Sequence, residues 1–542
     1  MEHNMKDTGS LSYLDTTAYG SGILAWILST DHKRIGLLYA MVMFSFFAVA
    51  VSIGFTMRLA LIEPGHRILS AQTYDALFTI HGVIMIFIFI IPSIPAFLGN
   101  FFLPILIGAQ DVAFPRLNLL SWYIFVTGAV LAMVSLFTGG GPIDTGWTFY
   151  VPYSIQTGTN VTLAAFSVFL IGFSSMLTGI NFITTIHRYR AQGMKWLRMP
   201  LFVWSLYATG WVQILATPVI AITLLLIIAG RVFGIYLFDP ASGGDPLLYQ
   251  HLFWMYSHPA VYIMILPAMG VVTEIIPTFS KKPIFGYTAI AMSSLAIAFF
   301  GSLVWGHHMF TSGMSQTAKW LFSLLTFIVA VPSGVKVFNW VASLYGGSIE
   351  LEPPLLFTFA FIFLFSIGGF TGLIQGALAV DVQVHDTYFV VGHLHYVMFG
   401  GTAFAFFAGI HYWFPKMFGR MYNKGVAKLA LLIMFIGFNT LYFPMFVLGW
   451  EGMPRRSYDY LPQFHTGQLI SIIGSWILVP GLIVMFANLI YALFKGQKAP
   501  ANPWGGVTLE WKIPSPPPRE NFRVIPVITD RPYVFPAGTD HE

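Results

Sequence analysis

The chain has 542 residues, of which 56% are hydrophobic and only 9% are Asp, Glu, Lys or Arg, against about 25% charged residues in soluble domains. A soluble globular protein is excluded, and the absence of cysteine also excludes disulfides, thiolate metal sites and thiol redox chemistry. The formal charge of +5 reads as membrane topology, because the basic residues are spread over loops flanking apolar stretches rather than clustered as nucleic-acid binding requires.

Residues 1–34 are predicted to be a cytoplasmic N-terminal segment, and the polar first 20 residues do not have the form of a cleavable signal. A membrane unit over 35–495 follows. Stretches of about 18 or more apolar residues lie near 35–58, 77–109, 119–138, 161–186, 200–230, 250–276, 284–312, 320–343, 354–379, 389–415, 428–449 and 467–494. They predict an all-α integral membrane protein of twelve transmembrane helices with no internal repeat. The tail, 496–542, carries Pro514, Pro516, Pro517 and Pro518 and is expected to be extended and surface-lying.

An even number of spans puts both termini on one side. Lysine and arginine concentrate in cytoplasmic loops, and twenty of the 27 fall in the terminal segments and even-numbered loops. Six fall in the odd-numbered loops, and Lys336 alone lies within a span. Both termini are therefore expected to be cytoplasmic.

Six histidines lie in or at the ends of these stretches: His81, His258, His307, His308, His393 and His395. An ionisable side chain at bilayer depth is costly and marks function. Neutral imidazole suits iron and copper and brings no net charge into lipid. A lone membrane histidine is ordinarily an interhelical hydrogen bond, but six of them can build a metal site.

In VVGHLHYVMFG, His393 and His395 are two apart, so on a helix turning about 100° per residue they point about 200° apart. One helix could thus serve two metal centres. In WMYSHPAVYIMILP, His258 and Tyr262 share a helix face. The adjacent pair in WGHHMF points apart on a regular helix, unless an irregularity turns both toward a common site. Three imidazoles with a phenol beside them suit copper with an open position. Lys336 in PSGVKVFNW either snorkels to an interface or belongs to a proton route with Ser333 and Thr273.

With these motifs, the chain resembles subunit I of the heme-copper oxidases, from DHKRIG at 31 to WGGVTLEWKIPSPPPRENF ending at 522. The resemblance implies that His81 and His395 hold a low-spin heme and His393 a high-spin heme. It implies that His258, His307 and His308 hold the facing copper (CuB), and that dioxygen is reduced to water between that iron and copper. Tyr262 matches the tyrosine that the family links covalently to the copper-ligand histidine, here His258. Arg455 and Arg456, with Trp147 and Asp381, resemble the heme-propionate neighbours. Guanidinium pairing with carboxylates explains two arginines on the outer side. His385 and Asp386 resemble magnesium ligands at the interface with subunit II. Arg58 resembles the arginine beside the formyl group of heme A.

By the same resemblance Asp111 is the mouth of one proton route, lined by Asn100, Asn118 and Asn181, while Thr273, Ser333 and Lys336 lead to Tyr262. Many members read HPEVY where this chain reads HPAVY, and Ala260 cannot carry a proton. Tyr256 and Ser257 lie about one turn from the missing carboxyl and can hold a water chain. That assigns the chain to the A-type YSHPAVY subgroup, which is implied still to pump.

The implied function is that of the catalytic subunit of a proton-pumping terminal oxidase in a bacterial plasma membrane, accepting electrons from cytochrome c. Lacking cysteine, it needs a subunit II for the dinuclear copper entry site, and a subunit III is expected. A quinol oxidase is the alternative within the class. A nitric-oxide reductase lacks the tyrosine found here as Tyr262. A non-redox transporter, the alternative from another class, would hold no heme.

Overall fold

The computed structural model describes residues 11–15, 22–65 and 68–535. Lys6 and Arg67, counted in the charge asymmetry, lie outside these. Among the described residues, twelve helices are long and apolar enough to cross a membrane. They are α1 (His32–Ala60), α2 (Ala71–Leu106), α3 (Pro115–Val134), α4 (Val161–Arg188), α5 (Leu201–Phe233), α6 (Pro246–Ser280), α7 (Tyr287–Met309), α8 (Gln316–Leu344), α9 (Pro353–Gly376), α10 (Tyr388–Phe418), α11 (Lys424–Trp450) and α12 (Pro462–Lys495). Each expected span has its helix, with ends shifted by a few residues because polar caps, not apolar residues, start several of them. Asp31, Ser70, Asn160, Asp245, Ser315 and Asn423 each accept a hydrogen bond from a backbone N–H of the first turn. Lys33, Arg34 and Arg58, expected in flanking segments, accordingly lie inside α1.

Backbone amides in hydrocarbon must be satisfied internally, which is why only helices span. Prolines at 218, 259, 267, 277, 332, 444 and 480 sit inside these helices, and neighbouring helices make them tolerable. α2 contains π-helical turns over Ile84–Ile90 and Ser93–Gly99, and α10 has another over Tyr396–Ala403, directly after the histidine pair. α6 is the most enclosed helix, with 89% of its apolar stretch buried, and α8 the least, with 22%. Helices α11 and α12 meet through glycines, where a Cβ at Gly437 or Gly474 would strike the facing backbone, the close approach that small residues allow between membrane helices.

The tail departs from expectation. It is extended but not merely surface-lying: Trp504, Trp511, Glu510, Asn521 and Tyr533 are buried. An extended segment has no internal partners for its carbonyls, and lysines of the bundle supply them. Lys33 Nζ donates to Arg519 O (2.8 Å), Lys281 Nζ to Trp504 O (2.7 Å), and Lys416 Nζ to Ala501 O (2.9 Å) and Ile513 O (2.6 Å). Gln497–Lys498 pair antiparallel with Arg420–Met421, and Tyr13 N–H donates to Pro517 O at 3.2 Å. Several basic residues that the charge asymmetry places in loops are thus tail clamps. Lys416→Met should strand buried carbonyls and destabilise the protein by about 1–3 kcal/mol, measured as an earlier loss of helical circular dichroism on heating in detergent.

Candidate heme-copper site

Helix α7 ends its regular winding at Gly301, and Trp305–Met309 form a 3₁₀ turn. This irregularity decides the question left open by the adjacent histidines: both rings turn toward α6. His258 Nδ1 lies 3.0 Å from His308 Nε2, and His307 Nε2 lies 3.2 Å from His308 Nε2. One ligand atom from each of the three falls within 4.8 Å of the others. Trp254, one turn before His258, stacks on His308 at 3.7 Å between centroids and 13° between planes. Thr326 Oγ1 on α8 lies 2.9 Å from His307 Nδ1.

With Nδ1 of His258 committed to the cluster, its Nε2 is buried without a partner. The Tyr262 ring stands edge-on to it, 4.9 Å between centroids. A Cβ at Gly301 would come 2.5 Å from that ring, so only glycine there admits Tyr262 to its place.

A cavity of about 620 Å³ opens between α6, α7, α8, α9 and α10, with all three histidines, Tyr262, Ser333 and His393 on its wall. His393 Nδ1 meets Thr371 Oγ1 at 3.1 Å, and a Cβ at Gly372 would crowd its ring at 3.0 Å. His395 points elsewhere. Its ring stacks on Tyr442 of α11 at 4.2 Å, and its Nδ1 meets Val391 O at 2.8 Å. His81 Nδ1 meets Ala50 O at 2.9 Å. His81 and Arg58 are electrostatic neighbours of His395, and none of the three lines the large cavity. Fixing one ring nitrogen by a hydrogen bond presents the other as a ligand.

At the end of the bundle away from the terminal segments, Trp147, Asp381, His385, Asp386, Arg455 and Arg456 close the cavity. Arg455 pairs with Asp386, and His385 Nδ1 lies 2.8 Å from Asp381 Oδ2. Burial raises the Asp386 carboxyl, but Arg455, His385 and Arg456 outweigh it and hold it below its ordinary value. Burial, then Arg455, lowers Arg456 to about 10, still a cation at neutral pH. Asp386 and Arg456 both adopt positive φ, 55° and 65°, a conformation that non-glycine residues keep only where the surroundings enforce it. Arg58 donates to Gln468 Oε1 (3.2 Å) and Tyr388 OH (3.3 Å).

The residues present fit hemes and copper. Three imidazole nitrogens converge on one point, and the cavity between them and His393 ends in arginines suited to carboxylates.

The family described as Cytochrome C and Quinol oxidase polypeptide I matches residues 34–477. The chain belongs to this family. It is 46% identical to cytochrome c oxidase subunit 1 of Synechocystis sp. over 511 residues, covering 94% of this chain and 92% of the relative. It is 41% identical to the subunit 1 of Cereibacter sphaeroides over 539 residues, covering 92% and 95%. A solved heme-copper terminal oxidase dimer shares the fold, with a TM-score of 0.74, 23% identity and coverage of 86% and 84%. The protein is therefore the catalytic subunit of a terminal oxidase, a multi-pass membrane protein working in a multisubunit complex, and its family implies hemes and copper.

The inner-end residues are brought together in part. Asp111 lies in the loop between α2 and α3, and burial, with Asp31, raises its carboxyl to about 7. Asn181 holds that loop, accepting from Phe114 N–H at 3.0 Å and donating to Phe114 O at 3.2 Å. Both side-chain polar atoms of Asn118, and Asn100 Oδ1, are buried and unpartnered. Ser257 Oγ is likewise unpartnered, and Tyr256 is buried. Lys336 does not snorkel: it is 1% exposed and donates to Ser294 Oγ at 2.8 Å. Thr273 Oγ1 accepts from Trp340 Nε1 at 2.9 Å.

Sequence reasoning missed Trp254, Thr326, Thr371, Tyr442 and Ser294. Only Trp254 carried a signal, its spacing of four from His258; the others contact the site across helices far apart in sequence. His308→Ala should lose copper, measured by metal analysis, while heme absorption persists.

Proposed function

We propose that this chain reduces dioxygen to water with electrons from cytochrome c and couples the reaction to proton pumping across a bacterial plasma membrane, both termini facing the cytoplasm. The convergence of His258, His307 and His308 on the wall of the cavity that His393 also lines carries the reading. Cytochrome c is favoured over quinol because the relatives it matches at 41–46% identity are cytochrome c oxidases. Oxygen uptake by the purified complex with reduced cytochrome c tests this, and uptake with quinol alone would overturn it.

The site would take two hemes, one low-spin on His81 and His395 and one high-spin on His393, with heme A favoured by Arg58. When bound, the hemes and copper supply electron transfer and the binding of dioxygen. A magnesium ion would sit on His385 and Asp386 at a subunit II interface, and subunit II would carry the dinuclear copper absent here for want of cysteine. A subunit III completes the proposed complex. The proposed division of the chain is an N-terminal segment to 34, the membrane unit 35–495 and the tail 496–542.

Arg455 and Arg456, with Trp147 and Asp381, would orient the propionates. The Tyr262 hydroxyl would deliver a proton and an electron to the bond between the two oxygens, and Thr273, Ser333 and Lys336 would return its proton. Asp111, with Asn100, Asn118 and Asn181, would feed the other route, and Tyr256 and Ser257 would relay in place of the carboxyl missing at Ala260, since transfer needs a hydroxyl, carboxyl or water within hydrogen-bond reach.

Tyr262→Phe should assemble hemes and copper yet lose oxygen uptake by about 100-fold or more, the weight of a positioned proton donor; near-normal turnover would make the phenol structural. A carboxyl raised to about 7 holds its proton below that pH and gives it up above. Proton uptake by vesicles should therefore decline as pH rises through about 7, and Asp111→Asn should remove that step from the profile.

A further inference from the structure

Between the asparagines near Asp111 and the Tyr256–Ser257 pair, α5 presents two buried polar side chains, Gln213 and Thr217, to the bundle. Tyr39 OH contacts Ser121 Oγ (3.0 Å) and Ser174 Oγ (3.1 Å), which carries a polar line from α3 to the middle of α4. Next to it is a cavity of about 20 Å³, lined by Tyr39, Ser174, Ser175, Thr178 and Gln213 among others. That is room for about one water, with the polar partners a buried water needs.

Gln213 closes the far side of this cavity. Its Nε2 donates to Ser175 Oγ at 3.0 Å, while its Oε1 is buried without a partner. Four residues on, and so on the same face of α5, Thr217 Oγ1 is also buried without a partner. A helix-interior threonine ordinarily bonds the carbonyl four residues back, as Thr209 and Thr223 do in this same helix. Pro218 follows Thr217 inside the helix. It lacks the N–H that would bond the Ile214 carbonyl, leaving a further acceptor at this depth.

The register of the neighbouring helix supplies the next link. Phe202 N–H donates to Glu274 Oε1 at 2.9 Å, and Gly270 lies against Ser205, so α5 and α6 run antiparallel. Continuing this register toward the opposite end of the bundle brings Thr217 level with Ser257 and His258. Ser257 Oγ is itself buried and unpartnered. Gln213 Oε1, Thr217 Oγ1 and Ser257 Oγ are thus orphaned polar atoms at successive depths between the water-sized cavity and the copper-ligand cluster. A buried polar group without a partner is costly unless something outside the protein satisfies it.

We propose that Gln213 and Thr217 carry the middle section of the Asp111 proton route, holding the waters that pass a proton from Ser175 to Ser257. The proposal rests on the reading of Asp111 as the mouth of that route. Neither residue touches the reacting atoms; each positions water for transfer.

The test uses the intact oxidase complex in vesicles, with Gln213→Leu, Thr217→Val and the polar replacements Gln213→Glu and Thr217→Ser, and Asp111→Asn as reference. Gln213→Leu and Thr217→Val should slow proton uptake and turnover roughly tenfold each, the weight of one lost hydrogen bond. Heme spectra and the KM for the electron donor should stay unchanged, and the polar replacements should stay near the parent rate. If Gln213→Leu does not assemble, the nearly isosteric Thr217→Val decides. Slowing by Asp111→Asn with parental rates in both apolar variants would overturn this proposal and leave the Asp111 route standing. Slowing in the apolar variants without effect from Asp111→Asn would support the α5 passage and overturn the mouth. Parental behaviour in all three would overturn both.

Discussion

The imidazoles of the candidate site each have to offer one unprotonated ring nitrogen while surrounded by hydrocarbon, and the fold is organised around making that tolerable. A buried acceptor with no partner is costly. The structure meets the cost by fixing the other nitrogen: His81 on Ala50 O, His395 on Val391 O, His393 on Thr371 and His307 on Thr326. Of the nitrogens left over, His307 Nε2 converges with His258 Nδ1 and His308 Nε2.

This constraint explains the irregular segments. A regular helix cannot point two adjacent histidines at one site, so α7 gives way to a 3₁₀ turn at Trp305–Met309, and Gly301 leaves the space in which Tyr262 stands beside His258. A regular helix does send His393 and His395 to opposite sides, and there α10 keeps its α winding, widening to π only after His395. The same economy governs the two ends of the bundle. At one end guanidinium groups are balanced by Asp386 and left facing the cavity. At the other, lysines bind tail carbonyls and seal the polar groups beneath.

The alanine at 260 is informative about packing. No carboxylate stands at 260, and hydroxyls and an amide of α5 and α6 are unpartnered: Ser257, Thr217 and Gln213. Carboxylate and hydroxyl designs differ physically, since a carboxyl can store a proton whereas a hydroxyl or amide can only hold a water that passes one on.

The sequence alone determined the number of spans, the shared side of the termini and the identity of the six histidines. These follow from hydropathy, loop charge and helical angle, which are local properties of a chain in lipid. The opposed faces of His393 and His395 were legible for the same reason. The convergence of His307 and His308 was not, because it depends on where α7 loses its α-helical winding, and that is set by packing against α6 and α8. The burial of the tail was illegible too: its proline run reads as extended, but only the folded bundle shows that Lys33, Lys281 and Lys416 reach its carbonyls. Thr326, Thr371, Tyr442 and Ser294 carry no motif at all. They are ordinary residues of membrane helices until tertiary packing sets each one against a histidine or a lysine that would otherwise be an unpaired polar group in hydrocarbon.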